Sequence, residues 1–223
     1  MKYIDLTRKL KNNILEYPGD PKFKLKAIND KNSDYNLSKI ETGLHIGTHI
    51  DAPYHYIENG KKINEIKLEK LIGKSTILNF KNKDKISKEI NLEDLKIVST
   101  NIKNSKNCKT NKNENLGEIA ILKTGWSNNW KKENYFTENY YLSKDFANYL
   151  IENEINGICI DGPSVDKFEN NKIHKLFLKN NIWIVENITN LNHLRKNSYF
   201  GYVIPLNIDA EASPVRVFLS KEK

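Results

Sequence analysis

The feature that most constrains this chain is the stretch from His45 to His55, HIGTHIDAPYH, which holds three of its five histidines. In an extended backbone successive side chains point to opposite faces, so residues two apart share a face. One face then carries every group able to bind a metal or move a proton, namely His45, His49, Asp51 and His55. The other face is mostly apolar. Gly47 and Pro53 disfavour a helix, so the pattern predicts a strand that carries a metal site.

The chemistry of these side chains narrows the choice of metal. Imidazole nitrogens and carboxylate oxygens suit Zn, Mn, Fe or Co rather than Ca or Mg. Residues two apart on a strand are separated by about 6.6 Å, which lets His49 and Asp51 converge on one ion. We expect Gly47 to leave space for that ion beside His45, and Pro53 to end the strand pairing and turn the chain so that His55 faces the ion from further off. A lone histidine is more often a surface or satisfied core residue, but four such groups on one face favour the metal site.

Composition restricts the class of protein. A chain of 223 residues buries a full core and fits one domain, which we predict to span residues 1–223. The formal charge is +8, but the lysines are interleaved with acidic residues, and the densest basic run, 103–112, has no aromatic residue to stack on bases. A nucleic-acid-binding protein is therefore disfavoured. The sequence shows no apolar signal segment, no apolar run of membrane length and no paired-cysteine motif. We therefore predict a cytoplasmic protein without a membrane span or a cysteine zinc site.

Hydrophobic patterning predicts many strands and few helices. Predicted strands lie at 3–7, 23–28, 37–44, 75–80, 119–124, 155–160, 182–188, 201–208 and 215–219. Helices are predicted at 91–97, from Ser143 onward and at 174–179, and a surface loop at 100–115. Together with the lack of internal repeats, this pattern favours a mixed α/β fold.

Two downstream residues have contexts that leave their roles open. Glu186 lies in the apolar run 182–188, where a buried carboxylate is costly unless it is paired or bound to a cation. It could equally face outward at the end of a strand. His174 begins a short helix after a polar loop, a position that more often holds a surface histidine than a ligand. Spacing alone assigns a role to neither residue.

The motif HxGTHxDxPxH resembles the signature of the metal-dependent cyclase family of hydrolases, whose bacterial members include kynurenine formamidases (arylformamidases). Further matching segments follow the family order: IDLT with YPGD at 4–7 and 17–20, LKTGWS at 122–127, IDGPSVD at 160–166, the segment 174–191, and ASPVR at 212–216. The resemblance covers nearly the whole chain. It implies a single-domain swivelling β/β/α fold of the α/β class, with a central mixed β-sheet or barrel flanked by helices. It also implies a homodimer or homotetramer.

The resemblance further implies a role for individual residues. Positions that match the family's metal ligands are His45, His49, Asp51, His174 and Glu186. Asp51 would be shared between two ions, and Glu186 would be the other bridging carboxylate. His55 corresponds to the catalytic acid/base. The implied cofactor is a divalent metal, with two Zn ions per chain in the formamidase branch and Mn in other branches.

The implied activity is hydrolysis of a small-molecule amide, most specifically an arylformamide such as N-formylkynurenine, by metal-activated water and a histidine acid/base. One position departs from the formamidase pattern. Formamidases typically carry a tryptophan that contacts the aromatic substrate, whereas this chain has Tyr17, which keeps a flat ring but adds a hydroxyl. A cyclic amide or lactone such as isatin is therefore a rival substrate. From another class, a catalytically silent metal- or ligand-binding protein is the alternative, although the complete residue set argues against it.

Overall fold

The computed structural model describes residues 3–28, 34–81, 87–95 and 116–221. The strands of these segments are β1 (Tyr3–Asp5), β2 (Lys24–Ala27), β3 (Ser38–Glu41), β4 (His49–Asp51), β5 (Ile72–Asn79), β6 (Glu89–Ile90), β7 (Ile119–Lys123), β8 (Tyr141–Leu142), β9 (Gly157–Ile160), β10 (Trp183–Glu186), β11 (Ser198–Pro205) and β12 (Ala212–Ser220). The helices are α1 (Leu68–Leu71), α2 (Lys144–Glu152) and α3 (Lys172–Lys179), and residues 92–95 are also helical. The predicted loop 100–115 and the end of the predicted helix 91–97 lie outside the described residues.

A closed ring of seven strands forms the centre of the fold. Its order is β12-β11-β5-β7-β9-β10-β4, which returns to β12, and β1 is added to the outer edge of β12. Neighbours from β5 to β10 pair in parallel, whereas β11, β12 and β4 join the ring through antiparallel pairs. The sheet is therefore mixed and closed, which confirms the predicted α/β class with a central barrel.

Alternation along the strands divides the apolar side chains between two cores. In β10, Trp183 and Val185 belong to a cluster that fills the ring and draws on all seven strands. Ile184 points the other way, into a cluster that joins the sheet to α2 and α3. Glu186 follows in the same alternation and faces this outer layer. The outer side of β10 is therefore where a polar site meets the helices.

Helix α2 begins at the residue that the sequence predicted. Ser143 is its N-cap, and Oγ accepts a hydrogen bond of 3.2 Å from the backbone N–H of Phe146. This bond satisfies one of the N–H groups left unpaired at a helix start. Phe146, Ala147 and Leu150 are buried against the sheet, so the predicted amphipathic helix is confirmed. Within the part of the chain that the structure describes, no helix has the length and apolar character to cross a membrane.

Candidate metal centre

The histidine stretch folds as a turn, a short strand and a second turn. Only His49–Asp51 forms a strand, while Gly47 has a left-handed φ of 59° and Pro53–His55 forms a 3-10 helix. The predicted extended strand is therefore wrong for residues 45–48, whereas the predicted end of the strand at Pro53 is confirmed by the 3-10 helix. The turns bring the flanking rings together, and the ring centroid of His45 lies 5.1 Å from that of His49 and 4.3 Å from that of His55.

Gly47 serves the backbone and its packing rather than an ion. A Cβ built at this position would lie 2.9 Å from Cδ2 of Leu10 and 3.1 Å from Cδ1 of Ile14. Leu10 and Ile14 belong to a small apolar cluster with Phe23. The expectation that Gly47 leaves space for a metal is wrong, because its missing side chain would point at this cluster. Glycine is needed here for the left-handed turn and the close approach.

The first cluster of potential ligands is formed by His45, His49 and Asp51, whose ligand atoms lie within 4.8 Å of one another. Nδ1 of His45 is 2.8 Å from Oδ1 of Asp51, and Nε2 of His49 is 3.5 Å from the same oxygen. Nδ1 of His49 lies 3.2 Å from the carbonyl oxygen of Gly47. That contact occupies one ring nitrogen and leaves Nε2 facing the cluster.

The second cluster consists of Asp51, His174 and Glu186, again with ligand atoms within 4.8 Å. The antiparallel register of β10 and β4 places Glu186 directly opposite His49, so the two side chains share a face. Nε2 of His174 lies 3.1 Å from Oε1 of Glu186 and 3.6 Å from Oδ2 of Asp51. Asp51 therefore belongs to both clusters and lies between them.

Asp166 orients His174. One carboxylate oxygen accepts a hydrogen bond of 2.9 Å from the backbone N–H of Ile173, and the other accepts one of 2.9 Å from that of His174. The second oxygen also lies 2.8 Å from Nδ1 of the His174 ring. Asp166 thus caps α3 and turns Nε2 of His174 toward the cluster. This role of Asp166 was not predicted from the sequence. The sequence feature that could have indicated it is the aspartate at the last position of the segment IDGPSVD.

The donor set fits a divalent metal. Oδ1 of Asp51 and Oε1 of Glu186 are buried, yet neither has a hydrogen-bond partner among the described residues. Imidazole nitrogens lie close to both oxygens but not in hydrogen-bonding geometry. A buried carboxylate oxygen without a partner is costly, and a cation held by these oxygens and imidazoles would remove that cost. The nitrogen and oxygen donors match the preferences of Zn and Mn.

Burial and neighbouring charges shift the ionisation of this centre. Burial lowers the pKa of His49 to about 4 and that of His55 to about 4, so both rings are neutral near pH 7. Burial also opposes the charged form of His45, but the adjacent Asp51 carboxylate outweighs it and raises the pKa of His45 to about 9. Burial raises the pKa of Glu186 to about 7. In the metal-free protein, the protons on His45 and Glu186 therefore balance negative charge that a bound metal ion would otherwise balance.

A cavity of about 270 Å³ opens onto both clusters. His55 lines it beside the ligand atoms but belongs to neither cluster. One wall is aromatic: the Tyr17 ring centroid lies 5.2 Å from that of Phe136 and 6.3 Å from that of Phe168. Sequence reasoning singled out Tyr17 and missed Phe136 and Phe168, since the three rings come from segments far apart in the chain.

Proteins of similar sequence are known. The chain is 30% identical over 223 residues to a protein named kynurenine formamidase from Bacillus cereus, with 97% of this chain and 96% of the relative covered. It is also 30% identical over 225 residues to a protein of the same name from Bacillus anthracis, with 98% and 97% covered.

Solved structures share the fold. A structure described as a potential metal-dependent hydrolase with cyclase activity superposes with a TM-score of 0.77 at 24% identity and covers 100% of this chain and 98% of its own. Isatin hydrolase A from Ralstonia solanacearum superposes with a TM-score of 0.83 at 19% identity and covers 99% and 92%.

A family model, Cyclase, with the description "Putative cyclase", matches residues 4–167 of the chain. This segment includes the whole first ligand cluster and ends just beyond Asp166. Since the match extends over most of the sequence and relatives agree along nearly all of it, the chain belongs to the Cyclase family.

Proposed function

We propose that this protein is a metal-dependent hydrolase that cleaves a small amide, with arylformamides as its substrate class and N-formylkynurenine as its specific substrate. One observation carries the proposal: two ligand clusters share Asp51 at the base of a cavity that also holds His55 and an aromatic wall. Relatives named kynurenine formamidase, at 30% identity over nearly the whole chain, support the choice of substrate. The products would be kynurenine and formate.

The proposed ligands divide into two sets. His45, His49 and Asp51 would hold one ion, and Asp51, His174 and Glu186 would hold the second, with two Zn ions per chain and Mn as the alternative. When bound, such ions polarise an amide carbonyl and lower the pKa of water. The unpartnered oxygens of Asp51 and Glu186 are buried atoms for which a bound ion would supply the missing partner.

His55 is the proposed acid/base. Because burial keeps its ring neutral near pH 7, it is ready to accept a proton. As water adds to the formyl carbon, a C–O bond forms and His55 takes the proton of the water. When the C–N bond breaks, the same ring returns the proton to the leaving amine nitrogen. The His55 ring lies 4.3 Å from that of His45 and 6.3 Å from that of His174, between centroids, which places it beside both ligand sets.

The aromatic wall supports an aryl substrate. The rings of Tyr17, Phe136 and Phe168 offer flat apolar surface on which an arylamine packs edge-on or offset. A cyclic amide such as isatin is the rival substrate, because Tyr17 stands where formamidases typically carry tryptophan. A silent binding protein is disfavoured, because the complete set of ligands is accompanied by a neutral histidine that binding alone does not need.

Elemental analysis and a substrate panel test the proposal together. We expect about two metal ions per chain and faster hydrolysis of N-formylkynurenine than of formanilide or isatin by the purified protein. Preference for isatin would favour the rival substrate. Inactivity on all three compounds with metal bound would refute the proposed activity, and failure to bind any divalent metal on reconstitution would refute the site.

We further propose that the protein acts in the cytoplasm as a homodimer or homotetramer. Light scattering coupled to size-exclusion chromatography would measure the mass of the assembly against the chain mass of 25.9 kDa. A monomer at working concentration would contradict the oligomeric part. Fractionation of the producing cells would test the location.

A further inference from the structure

Asn187 brings a second polar side chain into the cavity directly after Glu186. Successive residues of a strand point to opposite faces, yet both of these residues line the cavity. The backbone explains this, because Asn187 has a left-handed φ of 60° and ends β10 with a turn. Its N–H donates to the carbonyl of Gly162 at 2.9 Å, and its own carbonyl accepts from Oγ1 of Thr48 at 2.9 Å. The main chain is therefore held on both sides.

Tyr135 determines which end of the Asn187 amide faces the cavity. The buried hydroxyl of Tyr135 donates to Oδ1 of Asn187 at 2.8 Å. Behind it, the guanidinium of Arg8 interacts with the same hydroxyl and stacks on the ring of Trp130, with Cζ 3.8 Å from the centroid. Arginine offers only donors, so its charge directs the phenol hydrogen away, toward Asn187. The group that receives this hydrogen must be the amide oxygen rather than the amide nitrogen.

Among the described residues, the nitrogen of that amide has no hydrogen-bond acceptor. In the described segments, Nδ2 of Asn187 donates to no protein atom. It is not among the fully buried atoms that lack a partner, so solvent reaches it. The residue as a whole is 5% exposed and is one of the residues that line the cavity. Asn187 thus presents an N–H donor, on a held backbone, beside the carboxylate of Glu186.

We propose that Nδ2 of Asn187 donates a hydrogen bond to the carbonyl oxygen of the amide under attack, and that Tyr135 is a positioning residue that aims this donor. The inference rests on the proposed hydrolase function. As water adds to the carbonyl carbon, the π electrons of the C=O bond move to oxygen, which becomes a stronger acceptor. The hydrogen bond therefore strengthens in the transition state, and its loss affects kcat more than KM.

A double-mutant cycle tests the pair. Asn187→Ala is expected to lower kcat on the order of a hundredfold while metal content and KM stay near those of the wild type. Tyr135→Phe keeps the ring but frees the amide to rotate, so it should lower kcat by a smaller factor. Because both changes act through one hydrogen bond, the double variant should be no slower than Asn187→Ala. Two results would overturn the inference. One is a double variant in which the two single losses of kcat multiply, and the other is a kcat of Asn187→Ala within about twofold of wild type.

Tyr199→Phe is the matched control for removing a buried tyrosine hydroxyl. Tyr199 is 1% exposed, and its hydroxyl accepts from the backbone N–H groups of Arg195 and Lys196 at 2.8 and 3.1 Å, away from the cavity. This variant should lose thermal stability with kcat unchanged. A fall in kcat equal to that of Tyr135→Phe would show a general effect of a lost buried hydroxyl and overturn the positioning role.

A binding measurement separates this inference from the proposed function. Benzoate offers an aryl ring and a carboxylate oxygen, and calorimetry on the metal-loaded protein would give its Kd without turnover. Asn187→Ala should weaken benzoate binding roughly tenfold, and this result would support the donor even if every amide in the panel remained intact. An unchanged Kd would overturn it, whether or not the wild type hydrolyses an amide.

Discussion

Nδ1 of His174 lies 2.8 Å from Oδ2 of Asp166, and the same carboxylate accepts hydrogen bonds from the backbone N–H groups of Ile173 and His174 at the start of α3. One residue thus determines where the helix begins and which ring nitrogen faces the ligand cluster. When the ring is neutral and its proton is on Nδ1, it presents the Nε2 lone pair toward Asp51 and Glu186. Carboxylates in this position orient metal-binding histidines and raise their basicity.

Asp166→Asn should weaken metal binding at the second cluster by roughly 10- to 100-fold, because a neutral amide orients the His174 ring less strongly. Replacing one of the two accepting oxygens by an amide nitrogen, which cannot accept, should lower the free energy of unfolding by about 1 kcal/mol. Metal titration with a chromogenic chelator measures the first effect. Asp209→Asn is the control, since Asp209 pairs with Lys62 at 3.0 Å on the surface. Wild-type affinity in Asp166→Asn would contradict the orienting role.

His55→Ala should retain the full metal content and lose activity by roughly 10²- to 10⁴-fold, the usual contribution of an acid/base group. The reason is that His55 lines the cavity without belonging to either ligand cluster. Elemental analysis and steady-state kinetics on the same sample provide the measurement. His193→Ala, at an exposed histidine in the 3-10 helix Leu191–His193, should behave as the wild type. Near-normal kcat in His55→Ala would show that another group moves the proton.

Metal affinity should rise with pH because a proton must leave His45. Burial opposes the charged ring, but the Asp51 carboxylate raises the pKa of His45 to about 9, so the metal-free ring is protonated at neutral pH. A ligand imidazole is neutral, so binding releases at least one proton and the affinity increases about tenfold or more per pH unit below that pKa. Calorimetry in two buffers of different ionisation heat would count the protons. His45→Asn should release fewer, and equal release would contradict the prediction.

The same pKa gives the metal-free protein a pH-dependent stability. The folded-state pKa of His45, about 9, lies above the unfolded value of 6.5, so the folded state binds more protons between these values. The stabilisation is fully present below the unfolded pKa and is lost as pH rises through the folded pKa. Thermal unfolding of the metal-free protein should therefore occur at lower temperature as the pH is raised from neutral. His45→Asn should flatten this dependence.

Gly47→Ala should lower the free energy of unfolding by about 2–4 kcal/mol, because it combines a left-handed backbone with contacts that are too close to Leu10 and Ile14. Gly19→Ala is the matched control. Gly19 has a φ of 96° with no atom within 4 Å of a built Cβ, so only the backbone penalty of about 1–2 kcal/mol applies. Denaturant unfolding of both variants separates the two contributions. Equal losses of unfolding free energy in the two variants would show that the close contacts at Gly47 add no destabilisation.

Tyr17→Ala should raise KM for aryl substrates about tenfold with little change in kcat, because the ring belongs to the cavity wall and to neither ligand cluster. Tyr17→Trp should raise kcat/KM for N-formylkynurenine relative to isatin, since the larger ring extends the wall. Steady-state kinetics on both substrates provide the test. If both variants match the wild type, Tyr17 contacts neither substrate.

Local patterns predicted much of this molecule. Alternation in β4 places His49 and Asp51 on one face, with Ile50 buried inside the ring, because side-chain direction along a strand depends only on its period. Ser143 marked the start of α2, because a cap acts within one helical turn. The HxGTHxDxPxH motif identified the first cluster, and its resemblance to a known family supplied His174 and Glu186, which their own contexts left unassigned.

Only the tertiary structure decided how distant groups meet. The antiparallel register of β10 on β4 sets Glu186 opposite His49, and no local pattern encodes a register between strands so far apart in the chain. The turn at Gly47 replaced the extended strand predicted before β4, because His45 reaches the centre only if the chain leaves the sheet there. The position of Asn187 in the cavity could not be predicted for the same reason. Strand alternation predicts that Asn187 and Glu186 face opposite sides, but the left-handed backbone of Asn187, hydrogen-bonded to Gly162 and Thr48, places both on the cavity side.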